Sequence, residues 1–197
     1  MRRFAYYISE SNAHRMSNDY GDTMEEVILV KKAQQGDRRA FCDLYSLYKE
    51  PFYRYALYRL GHPEDAEDAV SECILQLWHK LPTLREPAAF RTFAYRVLSA
   101  CCARLIRAQI DRRGQDNADD AAFAGRTEMT TTDHTDTHLI LEESLRSLTE
   151  QERQIVLLSA VSGLNSKEIA DITGLSAGGV RSSLSRSLKK LRQQLTS

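Results

Sequence analysis

Asn165-Ser166-Lys167-Glu168-Ile169-Ala170-Asp171-Ile172-Thr173-Gly174-Leu175-Ser176 decides the fold of this chain. It reads as a short helix, a Gly stop and a cap for the helix that follows. Ser166 is placed to cap the first helix, and Gly174 to take the left-handed conformation that ends it. Ser176 is placed to cap the second. That second helix carries Val180, Leu184, Leu188, Leu191 and Leu195, whose steps of four, four, three and four keep them on one face. Its other faces carry Arg181, Ser182, Ser183, Ser185, Arg186, Lys189, Lys190 and Arg192, and no Asp or Glu occurs from Ala177 to Ser197. A cap, a buried stripe and a one-signed polar face are what a helix needs to enter a DNA major groove. The small residues Ser176, Ala177, Gly178 and Gly179 let the backbone approach a phosphate, whose charge a helix N-terminus favours. The competing reading of a basic helix is a solvated face of an ordinary bundle.

Upstream of this unit, Leu145, Leu148, Ile155, Leu158 and Val161 supply the first helices of the same module, and Thr149-Glu150-Gln151-Glu152 reads as a capping box. The module spans 139–197. Residues 111–138 are rich in Asp, Thr and Ala without apolar period, and read as an acidic, flexible linker. Residues 25–110 read as helices only. Val27, Val30 and Ala33 start one that stops near Gly36-Asp37. Phe41, Leu44, Tyr45 and Tyr48 mark a second, which Pro51 interrupts or restarts, with Phe52, Tyr55, Ala56 and Leu60 continuing the stripe. Pro63 suits a first helical position, and Glu64, Asp65, Glu67 and Asp68 crowd a helix start, where the macrodipole favours acids. That helix buries Ala66, Ala69, Val70, Cys73, Ile74, Leu77, Trp78 and Leu81 and presents Glu64, Asp68, Glu72, Gln76 and His79. Pro82 to Pro87 form a turn. A last helix, Phe90 to Gln109, turns Phe90, Phe93, Ala94, Val97, Cys101 and Leu105 inward. Residues 1–24 read as a flexible extension, with Met16 or Met24 as possible starts. The fold class is therefore all-α, with two small helical domains joined by a linker.

Formal charge is zero overall, but 25–110 carries +2, 111–138 with its flank to Glu143 carries −6, and 144–197 carries +4. That asymmetry belongs to a modular nucleic-acid protein. No apolar run approaches the roughly 18 residues of a membrane span, and Ser9-Glu10-Ser11-Asn12 ends the first apolar run too early for a signal peptide, so no membrane insertion and a cytoplasmic location are expected. Cys42, Cys73, Cys101 and Cys102 form no Cys-x-x-Cys pair; they read as reduced small hydrophobes, with redox sensing the alternative, and no metal or cofactor is expected. His14, His62, His79, His134 and His138 are scattered, and no nucleophile–base constellation points to an enzyme.

Several stretches together resemble the extracytoplasmic-function class of bacterial RNA polymerase sigma factors, in the sigma-70 superfamily. Leu148-Thr149-Glu150-Gln151-Glu152-Arg153-Gln154-Ile155-Val156 resembles the entry to that family's fourth region. Ser166 to Ala170 and Gly174 to Ser176 resemble its helix-turn-helix core, and Gly178 to Arg186 its promoter-reading helix. Asp65-Ala66-Glu67-Asp68-Ala69-Val70-Ser71-Glu72 resembles the helix that docks on the polymerase clamp, and Phe90-Arg91-Thr92-Phe93-Ala94-Tyr95-Arg96-Val97 the strand-opening segment. The resemblance implies a subunit that binds core RNA polymerase through its beta-prime clamp helices and beta flap. It implies promoter DNA read at the −35 element by Ser176, Arg181, Ser182, Ser183, Ser185, Arg186, Lys189 and Lys190. At the −10 element it implies Arg91, Tyr95, Arg96, Arg104 and Arg107, where aromatics among arginines suit a single strand. Phe93 reads as core and Tyr95 as the more open ring. Clamp docking falls to Glu64, Asp65, Asp68, Ser71 and Glu72, an acidic face that would repel DNA. Ala100, Ser183 and the Ser71/Cys73 pair depart from the family's usual residues, which suggests an altered sequence preference. With no sensor in the chain, an anti-sigma factor is the expected partner, and the linker lets the modules move independently. The alternative function is a helix-turn-helix regulator acting without polymerase.

Overall fold

The structure is a computed structural model that describes residues 21–115 and 143–195. The extension up to residue 20, the linker from 116 onward and the last two residues lie outside the described residues. The first module contains α1 (Gly21–Gln34), α2 (Arg38–Leu60), α3 (Pro63–Lys80) and α4 (Phe90–Gln115), with short 3-10 turns at Leu81–Thr83 and Pro87–Ala89. The second contains a helical turn at 143–146, then α5 (Glu150–Ala160), α6 (Ser166–Thr173) and α7 (Ala177–Leu195). Among the described residues there is no strand.

Local chemistry sets most of these boundaries. Gly36 (φ 90°) lets the chain reverse after α1, and the Asp37 carboxylate accepts from the backbone N–H groups of Arg39 and Ala40 at the start of α2. Pro51 does not interrupt α2, contrary to the sequence expectation: the helix runs straight through it. The carbonyl that loses its partner to a proline is four residues back, at Leu47, on a side chain that is 56% exposed. Water can therefore take that hydrogen bond. Pro63 sits in the first turn of α3 as expected. α1 begins four residues before the expected module boundary, and α4 runs to Gln115, five residues into the expected linker.

An aromatic cluster holds the first module together. Tyr95 stands edge-on to Phe52 (5.1 Å between centroids) and to Tyr55 (5.6 Å), while Phe90 meets Tyr48 (5.3 Å) and Phe41 meets Trp78 (5.0 Å). Gln34 closes the turn after α3 by donating to the carbonyls of Leu81 and Leu84. In the second module, Leu145, Leu148, Ile155, Leu158, Leu164, Ile169, Val180 and Leu191 are buried, so the apolar stripe of α7 is its seam with α5 and α6. The side chain of Leu195 lies outside the described residues.

The caps of the helix-turn-helix differ from expectation at one end. Asn165, not Ser166, caps α6: its side chain accepts from Lys167 and Glu168 N–H, and Glu168 accepts from the Asn165 N–H at 2.7 Å. Asn165 is extended (φ −81°, ψ 170°), as a cap must be, whereas Ser166 is already inside the helix. Gly174 (φ 74°) ends α6, Ser176 accepts from Gly179 N–H at 3.0 Å, and Thr149 with Glu152 forms the capping box of α5.

The two modules are packed together: α5 lies against α2, and α6 against α4. Polar groups on the facing helices satisfy one another across the seam.

Asn165→Ala should lower the unfolding free energy by about 1 kcal/mol, and Ser166→Ala by less than about 0.5 kcal/mol. Urea unfolding followed by circular dichroism checks the pair; a larger loss at Ser166 would place the cap one residue later.

Candidate nucleic-acid and partner interfaces

The exposed face of α7 is built by elimination. Val180, Leu184, Leu188 and Leu191 pack inward, so Arg181, Ser182, Ser185, Arg186, Lys189 and Arg192 are left at the surface. Arg181, Ser185 and Lys189 lie in one row along the axis, since steps of four return to the same side, and Ser182 stands beside it. Ser176 stands exposed at the open end of this helix. Ser183 is half-buried, and its carbonyl accepts from the buried Ser187 hydroxyl at 2.9 Å. Lys190 turns the other way: its ammonium meets Glu152 of α5 at 2.7 Å, and that contact is the main reason the Glu152 carboxyl is held below its usual range. Lys190 therefore ties α7 to α5, which the sequence pattern did not foresee. Arg186 has its Nε donating to the Ser182 carbonyl at 3.3 Å, which lays the guanidinium back along the helix surface.

α4 divides its basic residues between opposite sides. Tyr95 is fully buried among Phe52 and Tyr55, so the reading of it as the open ring is corrected; Phe93 is the partly exposed aromatic. Arg91 is half-buried beside Tyr48 and Glu26, on the side of α4 away from Arg96. Arg96, Arg104 and Arg107 are exposed along the outer side, with Ala100 between them. Arg104 leans to α3, where it meets Glu72 at 3.4 Å.

The acidic helix α3 likewise splits. Glu64, Glu67, Asp68, Ser71, Leu75 and His79 form one exposed stripe, and Leu75 is 61% exposed at its centre. Asp65 and Glu72 stand to one side, held within the chain. Asp65 accepts from Gln109 at 2.7 Å, and Glu72 from Gln76 at 2.8 Å. The Gln76 hydrogen bond, then the Arg104 charge, hold the Glu72 carboxyl below its usual range. Glu67 and Leu75 were absent from the sequence-derived set; the register of α3, once its buried side is known, puts them there.

The seam between modules centres on Arg59, 4% exposed. Its Nε donates to Glu150 at 2.7 Å, and its Nη1 donates to the Tyr55 hydroxyl at 3.0 Å and the Ser99 carbonyl at 3.1 Å. Tyr55, whose phenol burial pushes to about 12, lies 2.8 Å from the Ser99 hydroxyl. The Arg59 carbonyl in turn accepts from Arg153, and Thr92 donates to Glu168 at 3.1 Å. Sequence reasoning missed Arg59. The available signal was its position four residues after Tyr55 and seven after Phe52, a cation inside an apolar stripe.

Two compact helical modules, one of them a helix-turn-helix with a cation-bearing exposed face, define a DNA-binding protein of the transcription machinery. Residues 44–111 match the family described as Sigma-70 region 2, and residues 138–191 match Sigma-70, region 4. RNA polymerase sigma factor SigV of Bacillus subtilis is 30% identical over 149 residues, covering 76% of this chain and 87% of the relative. The ECF sigma factor BldN of Streptomyces coelicolor is 26% identical over 198 residues, covering 92% of this chain and 70% of BldN. Among solved structures, CnrH in complex with the cytosolic domain of CnrY shares the fold (TM-score 0.65, 20% identity, 87% of this chain and 97% of that one). So does RpoE of Bartonella quintana in complex with the anti-sigma factor NepR (TM-score 0.57, 19% identity, 78% and 97%). The chain belongs to the sigma-70 family and is a sigma factor of the extracytoplasmic-function type. It acts with core RNA polymerase to direct promoter-specific initiation.

No helix among the described residues is long and apolar enough to cross a membrane. Cys73, Cys101 and Cys102 are buried, and burial pushes the Cys73 thiol far up and the Cys102 thiol to about 12. Cys42 is exposed. An Ellman titration of the native protein at pH 8 should therefore find one fast thiol, lost in Cys42→Ser, and the other three only after unfolding. Fast reaction of more than one would contradict the burial described here.

Proposed function

We propose a division of the sigma role among three surfaces of this chain. The carrying observation is the exposed row on α7, where hydroxyls alternate with cations on a helix whose capped N-terminus is also open. Arg181, Ser182, Ser185 and Arg186 read the −35 duplex in the major groove, and Lys189 and the Ser176 end hold phosphates. Arg186 and Arg181 are the residues able to grip guanine with two hydrogen bonds. Ser183 supports the helix from its half-buried side, and Lys190 braces α7 against α5. At the −10 element, Arg96 and Arg107 track the strand, Phe93 offers the stacking face, Arg91 and Tyr95 position α4 from its buried side, and Arg104 ties it to α3.

Clamp docking falls to the α3 stripe, with Glu64, Glu67, Asp68 and Ser71 around Leu75. An apolar side chain ringed by acids suits a groove with a basic rim. Asp65 and Glu72 are bound within the chain and orient α3 against α4. The protein works in the cytoplasm, where its polymerase is, and an anti-sigma protein holds it inactive. RpoE bound to the anti-sigma factor NepR, and CnrH bound to the cytosolic domain of CnrY, support that last reading by analogy.

In vitro transcription with core polymerase over a promoter library tests the assignment on α7. Arg186→Ala should change which −35 sequences are used, by roughly 1–3 kcal/mol of discrimination, while Lys189→Ala should weaken all of them alike. Equal losses on every promoter for both variants would sink the division of roles.

The docking surface has its own test. Glu64→Lys with Asp68→Lys should abolish pull-down of core polymerase while the helical circular dichroism spectrum is kept. Full core binding by the folded double variant would move docking elsewhere.

A further inference from the structure

We propose that the basic end of the first module, where the α1–α2 turn meets the segment after α3, binds the phosphates of the single DNA strand just downstream of its −10 bases. Lys31, Arg38 and Arg85 form its centre, with Lys32 and Arg39 beside them. The inference rests on the −10 assignment above for the path of the strand, but not for the affinity of this end for phosphate.

Two observations carry it. The first is a convergence of cations that the chain leaves without counter-charge. Lys31 and Lys32 occupy the last turn of α1, Arg38 and Arg39 the first turn of α2, and Arg85 the stretch between the two 3-10 turns. Tertiary contacts bring these pieces to one end. Gln34 donates to the carbonyls of Leu81 and Leu84, and the edge-on Phe41–Trp78 pair closes the end of α3 on the start of α2. All five cations are exposed, and none forms an ion pair among the described residues. The acids beside them are Asp37 and Glu86, and the Asp37 carboxylate is turned onto the N–H groups of Arg39 and Ala40. Lys80, at the same end, is held by Gln76 at 2.7 Å. The exposed large hydrophobics of the described residues all fall outside 31–39 and 79–86. A protein interface is built around an apolar centre, as the Leu75 stripe is; cations without one suit phosphates.

The second is continuity with the surface already assigned. The chain from Arg85 leads directly into α4, and Ala88 and Ala89 on the way are exposed, small and uncharged. A strand stacked on Phe93 and tracked by Arg96 passes over these alanines to Arg85, and from there to Lys31 and Arg38. This end also lies on the downstream side. The second module, which reads upstream DNA, packs around Arg59 at the far end of α2, about 30 Å along the helix from Arg38. Phosphate contacts carry no sequence information; they fix the register of the strand and hold it in place. The basic end therefore retains the melted strand while the −10 bases are read.

Binding of the holoenzyme to forked promoter DNA tests the site. In one probe the nontemplate strand stops at the −10 element; in a second it runs on several nucleotides as a single strand; in a third the same extension is paired. The wild type should bind the single-stranded extension roughly three- to tenfold more tightly than the short fork. The double variant Arg38→Gln with Arg85→Gln should lose most of that gain, and the slope of log affinity against log salt should fall by about 0.7 for each cation removed. Arg38→Lys with Arg85→Lys should restore both. The loss should be the same whatever the −10 sequence, and circular dichroism and core pull-down should match the wild type. No gain from the extension, or an equal gain in the wild type and the Gln variant, would overturn the site. Weakened core pull-down by the folded Gln variant would make this end a protein contact instead, and an equal gain from the paired extension would make it a duplex contact. A wild type that gains from the extension but binds short forks with altered −10 bases as tightly as the intact one would count against the −10 assignment and leave the phosphate site standing.

Discussion

The burial of the Tyr95 ring against Phe52 and Tyr55 fixes the rotation of α4, and the functional surfaces of the first module follow from that rotation. Edge-to-face pairs of this kind each add about 0.5–1.5 kcal/mol beyond the area they bury. With Tyr95 inward, helical periodicity forces Arg91 toward Tyr48 and Arg96 toward solvent. Thr92 then faces the second module, Ser99 meets Tyr55 on α2, and Arg104 reaches Glu72 on α3. A different rotation of the same helix would expose a different set of cations.

Arg59 extends the constraint across the seam. A buried cation is tolerated where its hydrogen-bond donors and its charge are both satisfied. The first module supplies the acceptors and the second supplies the charge. The pair makes a contact that is specific in register yet half-open to water on the Glu150 side. Contacts of that character fix a relative orientation through charge and hydrogen-bond geometry.

The second module shows how little of a polar helix face is free to bind. α7 carries many cations, but Lys190 is spent on Glu152 and Ser187 is buried. What remains is the row from Arg181 through Ser185 to Lys189. The same sorting applies to α3, where Glu64 and Asp68 face outward while Asp65 and Glu72 serve the α3–α4 contact.

The sequence by itself determined the all-α class, the two modules, the helix-turn-helix and its Gly174 and Ser176 signals, because these depend on local backbone preferences and on apolar spacing within one helix. It also determined the buried side of α7 and the Thr149 capping box. Tertiary structure alone decided which of two neighbouring aromatics, Phe93 or Tyr95, is core, since both fit an amphipathic pattern and only packing against α2 separates them. It decided that α2 runs through Pro51, because the exposure of Leu47 allows the orphaned carbonyl its water. It decided which acids and cations are free, because an ion pair between residues 32 or 38 positions apart, as in Glu72–Arg104 and Glu152–Lys190, leaves no local mark in the chain. And it decided the seam between the modules, where Arg59 meets a carboxylate 91 residues away.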